Sequence, residues 1–377
     1  MNYAVIGANY GDEGKGLVTD YLTRSGRNVV IRHNGGAQSG HTVEKNDGRR
    51  FVFHELSSGS FNGAVTYWAS TFYPDLYKLE EELEDFSKVG EIPQIYGCEK
   101  TNIVLLFDVA INQKKETGRG DKKHGSCGMG IWEARVRTES GFGMTLGEVK
   151  NSTPTEIVKR LEEIKENYVL KTFGKLSPDY DFDIQVYTKY LKSAIEHVNV
   201  ISDESSFLGG FDNIVFESGQ GLLLDSDRED LWPHTTSSCT TLANPAMLTQ
   251  SYGINVDEVF YVTRTYITRH GAGPFNEDKD LNFYDETNKS NPWQGSMRFG
   301  RTDFEELLKR VSKDGTKARK ISLFITHFDE TNERFLSQEG NLDQEQIVEK
   351  TLSHSISDIY FCKDKYGIEV THLNLIV

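Results

Sequence analysis

Tyr3-Ala4-Val5-Ile6-Gly7-Ala8-Asn9-Tyr10-Gly11-Asp12-Glu13-Gly14-Lys15-Gly16 decides how this chain is read. Tyr3–Ile6 has the composition of a short buried strand, and a helix is predicted to begin near Leu17. A Gly-rich turn between a strand and a helix N-terminus offers backbone N–H groups and a positive dipole end to an anion, and Lys15 adds a point charge for phosphate. Glycine is needed where a side chain would block backbone approach. The segment is P-loop-like without being a regular P-loop. Asn9 stands where GxxxxGK[ST] has its first Gly, and Gly16 replaces the Ser/Thr that would hold Mg²⁺. Asp12 is the informative residue, because a carboxylate beside a triphosphate is repulsive unless a metal or a proton transfer requires it. The competing reading is an ordinary Gly-rich βα turn.

Outward from this turn, short apolar runs alternate with amphipathic stretches. Tyr3–Ile6, Val29–Arg32, Ile103–Phe107, Ile214–Phe216, Val259–Val262 and Ile321–Ile325 read as buried strands. Helical spacing links Leu76, Leu79, Leu83 and Phe86, then Ile157, Leu161, Ile164 and Tyr168 behind a Thr153-Pro154-Thr155-Glu156 capping box. It also links Phe304, Leu307, Leu308 and Val311, and a last long run from Ile347 through Val348, Leu352 and Ile356 to Ile359. This alternation predicts an α/β fold: a large, mostly parallel central sheet flanked by helices. Lys114–Lys123 and Asp278–Asn291 read as surface loops rather than boundaries, so residues 1–377 are taken as a single domain with loop insertions.

Composition narrows the function. The chain has 377 residues, 37% apolar and 26% charged, which suits a large folded core and excludes disorder, collagen and coiled coil. Lys plus Arg number 42 against 57 Asp plus Glu, a net charge of −15 that disfavours nucleic-acid and membrane-surface roles. Four cysteines form no CxxC pair; Cys98, Cys239 and Cys362 read as inert thiols, and the histidines lack zinc-site spacing. Trp68, Trp132, Trp232 and Trp293 read as packing residues. With no basic leader and no long apolar run, a cytoplasmic protein is expected.

A second Gly-rich cluster follows the second strand: Arg32-His33-Asn34-Gly35-Gly36-Ala37-Gln38-Ser39-Gly40-His41-Thr42. Gln38 and Ser39 supply hydrogen bonds, and His41 can donate a proton or stabilise a developing anion. Together with Gly11–Gly16, the Gly40-His41-Thr42 triplet resembles the adenylosuccinate synthetase family. The likeness continues through Gly125-Ser126-Cys127-Gly128-Met129-Gly130-Ile131 (the family's GTTGxGI), Glu217-Ser218-Gly219-Gln220-Gly221 (EGAQG), Thr236–Thr241 (TSSNTT) and Thr268–Phe275 (TRVGAGPF).

The resemblance implies an adenylosuccinate synthetase-like fold and a homodimeric ligase of purine biosynthesis. Phosphate from GTP would go to the 6-oxygen of a purine nucleoside monophosphate such as IMP, and L-aspartate would then displace it at C6. It implies Asp12 as the base at purine N1, His41 and Lys15 as stabilisers of the transferring phosphoryl group, and Mg²⁺ on Asp12 and the Gly40 carbonyl. Gly11, Glu13, Gly14, Gly16, Gln38 and Ser126 fall in its nucleotide-binding motifs, and Gln220 at its purine contact. Cys127 and Thr240 occupy its 5′-phosphate threonine positions. Arg135 or Arg137 matches an arginine contributed across the dimer, with the choice open.

Departures from the family pattern bear on the substrates. Its arginine-dense aspartate loop is here Gly295–Thr302, leaving Arg298, Arg301 and Thr302 to meet the amino acid. Its guanine-reading TKLD is here Thr326-His327-Phe328-Asp329, where Asp329 can accept from guanine N1 and N2 hydrogens. The final residues Leu373–Val377 lack the STGP-type ending, which leaves GTP against ATP open. The alternative substrate is GMP or dGMP, as in a phage branch making a 2-aminoadenine precursor; retention of Asp12 ranks IMP first. A nucleotide-binding module without catalysis is the reading from another class.

Overall fold

The computed structural model describes residues 1–119, 127–175, 182–288 and 295–375. Its centre is a ten-stranded sheet ordered β16-β15-β12-β9-β1-β8-β2-β5-β6-β7. These strands are β1 (Asn2–Gly7), β2 (Asn28–Arg32), β5 (Val65–Trp68), β6 (Ile95–Cys98), β7 (Val198–Ile201), β8 (Asn213–Gly221), β9 (Glu258–Arg264), β12 (Lys320–Thr326), β15 (Asp358–Cys362) and β16 (Val370–Asn374). Three hairpins, β3–β4 (His41–Glu44 and Arg50–Phe53), β10–β11 (Ile267–His270 and Met297–Gly300) and β13–β14 (Phe335–Ser337 and Gly340–Leu342), lie outside it. Every pairing in the large sheet is parallel except β15 with β16.

Side-chain alternation divides the core between the two faces of this sheet. Val5, Val30, Val215, Phe260, Val262 and Phe324 pack on one side with Val18 of the first helix, Lys15–Leu22. Ala4, Ile6, Val29, Ile31, Phe216 and Tyr261 point to the other, against Leu307, Leu308 and Val311 of the helix Phe304–Asp314. Burial on both faces explains why these strands read as continuous apolar runs. A third cluster joins Trp68, Leu79, Phe86, Leu161 and Leu191.

Several local expectations hold. Leu76–Phe86 and Phe304–Asp314 are helices, and Thr153 and Glu156 form the capping box of Pro154–Ile164. Three do not. Ile103–Phe107 is no strand: Ile103 N–H donates to Met144 O and Val104 N–H to Pro74 O, separate loop contacts rather than a ladder, and the helix Leu106–Arg119 starts within it. That helix also contains residues 114–119, so this part of the charged run is not a loop. The last helix is only Gln344–Thr351; Ile356 and Ile359 are buried beyond it, Ile359 within β15. No helix among the described residues is long and apolar enough to cross a membrane.

Candidate active site

In an open parallel sheet the ligand crevice lies beyond the carboxyl ends of the strands. Here those ends deliver the Gly-rich turn after β1, the His33–Gly40 turn after β2, Gly219 and Gln220 at the end of β8, Arg264 at the end of β9, and Thr326 at the end of β12. They surround a cavity of about 950 Å³. Strand β1 forms a bulge against β8 so that Gly7 pairs with Gly221. A Cβ at Gly221 would lie 2.3 Å from Asn9 O, so the two turns can approach only with glycine there.

The first turn is wired from within. Glu13 Oε1 accepts from Asn9 N–H (3.1 Å) and Gly11 N–H (2.8 Å), while Glu13 Oε2 lies 2.7 Å from Lys15 Nζ. Glu13 thus braces the loop. Gly11 (φ 110°), Asp12 (φ 62°) and Gly14 (φ 93°) are all left-handed, and Asp12 is the non-glycine residue in that run. Arg264 Nε donates to the Asp12 carbonyl. The Asp12 carboxylate accepts no hydrogen bond from the described residues and lines the cavity. Burial raises its pKa, opposed by the nearby Arg264 and Lys15.

His41 is held from two sides. Its Nδ1 lies 2.9 Å from Glu217 Oε1 and 3.0 Å from Arg32 Nη1, and its Nε2 is 3.4 Å from Gly219 O. Arg32 and Glu217 are register partners on β2 and β8 and pair at 3.0 Å. Burial pulls the His41 pKa down while Glu217 pushes it up; the net shift is downward. Burial acts to raise the Glu217 carboxyl, but His41, Arg32 and the Ser58 N–H override it and hold it well below the carboxylate range.

Gln38 and Gln220 also line the cavity, each with a buried amide oxygen that has no partner among the described residues. Such orphaned acceptors are rare in folded proteins and point to a ligand that donates. Gly11, Glu13, Gly14, Lys15, Gly16, Gly40, Cys127, Arg135 and Asp329 share this cavity. Burial pushes the Cys127 thiol up to about 11, which keeps it protonated at neutral pH, and raises the Asp329 carboxyl. As a fit for a hard cation, the Asp12 carboxylate and Gly40 carbonyl are both uncommitted oxygens. No cluster of three or more metal-ligating side chains exists among the described residues, so phosphate and water oxygens would complete a Mg²⁺ shell, as that ion prefers.

Other candidates lie elsewhere. Arg137 is fully buried, pairing with Asp108 Oδ2 at 2.8 Å and donating to Ile103 O and Phe142 O, so it faces the core and cannot reach a second subunit. Arg135, on the same helix (Ile131–Arg137), reaches the cavity and is 39% exposed. Thr240 is buried off the cavity, its N–H on Asp225 Oδ2 and its hydroxyl on Gly221 O. Arg298 donates to Gly271 O and Gly273 O, Arg301 pairs with Asp278 at 2.9 Å, and Thr302 is buried, bridging to Ser337 with its N–H on Leu336 O; none lines the cavity. Ser126 and Trp293 fall outside the described residues. Trp132 and Trp232 are not packing residues: they are 50% and 71% exposed at the cavity.

Sequence reasoning missed four contributors. Glu217 and Arg32 act on His41 from neighbouring strands. Arg264 pairs with Asp285 at 2.9 Å, overriding burial to hold that carboxyl at about 2, and draws part of the Asp278–Asn291 loop onto the cavity. Arg269 lines the cavity with its guanidinium 4.4 Å from the Tyr10 ring centroid. Their presence in the quoted EGAQG-like and TRVGAGPF-like motifs was the available signal for Glu217 and Arg269.

Comparison with known proteins agrees with this geometry. Adenylosuccinate synthetase 1 of Pseudoalteromonas translucida (strain TAC 125) is 32% identical over 301 residues, covering 77% of this chain and 66% of that protein. The Azotobacter vinelandii adenylosuccinate synthetase is 32% identical over 290 residues, 73% and 64% of the two chains. The chain thus spans slightly less than two-thirds of the length of these relatives. Among solved structures, fully ligated adenylosuccinate synthetase from Plasmodium falciparum matches with a TM-score of 0.74 at 20% identity, over 98% of each chain. The cyanophage S-2L succinoaminodeoxyadenylate synthetase, bound to dGMP and to dATP as an energy donor, matches with 0.65 at 18%, over 98% and 95%. At these identities the two structures speak for the fold. The adenylosuccinate synthetase family model covers residues 4–302, which include the braced turn, His41 and the β8 motif, and the chain belongs to that family.

Proposed function

We propose that this chain joins L-aspartate to C6 of a purine nucleoside monophosphate, with IMP as the first candidate and GTP as phosphoryl donor. The observation that carries the reading is the convergence of an uncommitted Asp12 carboxylate and a braced His41 on one cavity. Asp12 takes the proton from purine N1, and charge moves to O6. O6 attacks the γ-phosphorus of GTP, the bond to the β-phosphate oxygen breaks, and GDP leaves. The aspartate amine then adds to C6, loses a proton, and phosphate departs.

His41 presents Nε2 to the transferring phosphoryl group. Its neutral form is favoured by burial in the free protein, and the added negative charge of phosphate, together with Glu217, draws it toward imidazolium. Lys15 and the N–H groups of the first turn orient the donor phosphates. Asp12 and the Gly40 carbonyl are the residues that would hold Mg²⁺, whose charge would offset that of the phosphates when bound. Gln220 and Gln38 read the purine, Cys127 lies beside the 5′-phosphate, and Asp329 accepts from guanine. Arg135 is the arginine for a homodimeric partner's site.

One observation favours a second substrate. The free oxygens of Gln38 and Gln220 suit a base with an additional 2-amino donor, so GMP or dGMP is the alternative acceptor. A coupled assay for GDP or ADP release, run with IMP, GMP and dGMP, each with GTP or ATP and with L-aspartate, decides among them. Turnover dependent on a purine monophosphate and aspartate supports the reading. Nucleotide binding without turnover in any combination overturns it in favour of a non-catalytic module.

A further inference from the structure

Arg310 lies on the helix Phe304–Asp314, behind the Gly-rich turn and outside the cavity. Its Nε donates to Ala8 O at 3.0 Å and its Nη2 to Asn9 Oδ1 at 2.9 Å. Asn9 is fixed from two further directions, through Nδ2 on Thr263 Oγ1 (3.1 Å) and through its carbonyl on Leu223 N–H (2.9 Å). No ion pair within 4.0 Å involves Arg310 among the described residues, although Glu306 lies one turn before it on the same helix. Burial pulls its pKa down to about 10, still far above neutrality, so the guanidinium stays charged. A partly buried cation whose hydrogen-bond acceptors are all neutral is costly; Glu306 and Asp303 offset that cost only through space, and it falls further when an anion arrives nearby. Three other strongly held cations of this cleft have carboxylates of their own, Lys15 with Glu13, Arg264 with Asp285 and Arg32 with Glu217, whereas Arg269 donates to the carbonyls of Pro274 and His234.

We infer that Arg310 is a positioning residue for the phosphate-binding turn, gripping Ala8 and Asn9 from behind, and that its unpaired charge is reserved for the phosphates bound on the turn's other side. The inference rests on the proposed reading of that turn as a polyphosphate site. Two distinct contributions follow from it. The fork fixes the turn's entry, and the charge deepens the positive potential felt by an anion. Arg310→Gln removes both, whereas Arg310→Lys keeps the charge and loses the fork.

The test is calorimetric titration of the full chain with inorganic tripolyphosphate and with GTP, for wild type and both variants, with steady-state kinetics alongside. Arg310→Gln is expected to weaken tripolyphosphate and GTP about tenfold, while Arg310→Lys stays within about threefold and loses mainly kcat. Equal loss in the two variants, or Arg310→Gln binding within twofold of wild type, overturns the inference. If Arg310→Gln does not fold, Arg310→Lys decides: tripolyphosphate binding within threefold supports the inference, and a tenfold loss overturns it. A wild type that binds neither probe overturns the functional reading itself, a result distinguishable from failure of the variants alone.

Discussion

His41 Nδ1 and Glu217 Oε1 are 2.9 Å apart, although the two residues are 176 positions apart in the chain. The contact fixes which imidazole nitrogen faces the cavity and stabilises the charged ring, in the way a buried carboxylate orients a catalytic histidine. Glu217→Gln keeps the shape and removes the charge. Its expected effect is a fall in kcat of about 10²-fold or more with the far-UV spectrum unchanged. Glu217→Ala leaves Arg32 enclosed without its partner and is expected to lose about 3–5 kcal/mol in denaturant unfolding.

Asp12 adopts a left-handed conformation that asparagine tolerates well. Asp12→Asn is therefore expected to fold with a Tm close to wild type while losing about 10²–10⁴-fold in kcat, the usual range for removing a general base. Near-normal turnover in this variant would refute the role assigned to the carboxylate.

Arg135 and Arg137 separate cleanly by environment. Arg137→Ala strands Asp108 in the core and is expected to lose about 3–5 kcal/mol of stability. Arg135→Ala should leave urea unfolding within about 0.5 kcal/mol of wild type, as for a surface change. Its kinetic effect belongs in KM for the monophosphate, measured by initial rates.

Acid sensitivity follows from His33, buried between Ser218 Oγ (2.9 Å) and Asn244 Nδ2 (3.0 Å), with its pKa lowered by burial to about 3. The unfolded chain takes up this proton below its ordinary pKa and the folded chain does not. Stability contributed by the neutral ring is thus complete above about pH 6.5 and falls by about 1.4 kcal/mol per pH unit down toward pH 3. Asp75, raised by burial to about 6, works oppositely: it holds a proton in the folded state, and its contribution is lost as pH rises through 6. Unfolding midpoints between pH 7 and 4 should fall less steeply for His33→Gln than for wild type.

Gly221 tests the close approach of the two turns. With Asn9 O only 2.3 Å from an added Cβ, Gly221→Ala must displace backbone rather than a side-chain tip. About 1–3 kcal/mol of destabilisation is expected, with a larger loss of nucleotide binding, measured by titration, than of Tm.

The features legible in the sequence were those made by local chemistry. A strand, a glycine turn and a helix start are adjacent in the chain, so Tyr3–Gly16 announces its own geometry, as does the Thr153–Glu156 cap. What stayed hidden depends on partners far away. Ile103–Phe107 is apolar because it is buried between loops, and burial alone does not distinguish a strand from an irregular segment. The edge strand Val370–Asn374 is polar and largely exposed, so it lacks the apolar run that marked the central strands. Arg135 and Arg137 are two residues apart on a helix and therefore face different ways, which spacing alone left undecided. The Glu217 link to His41 exists only once β8 lies beside β2, and the contacts of Arg264 and Arg310 with the first turn only once β9 and the helix Phe304–Asp314 pack against it.

The pairing of Arg32 opposite Glu217 on β2 and β8 makes chemical competence a matter of strand alignment. A slip of one position would send these side chains to opposite faces of the sheet. His41 would then lose one of its holders and Arg32 and Glu217 would lose each other, even in a molecule that stayed condensed and helical. Misaligned molecules would be silent rather than slow, so specific activity would count correctly assembled sheets in a way that circular dichroism cannot.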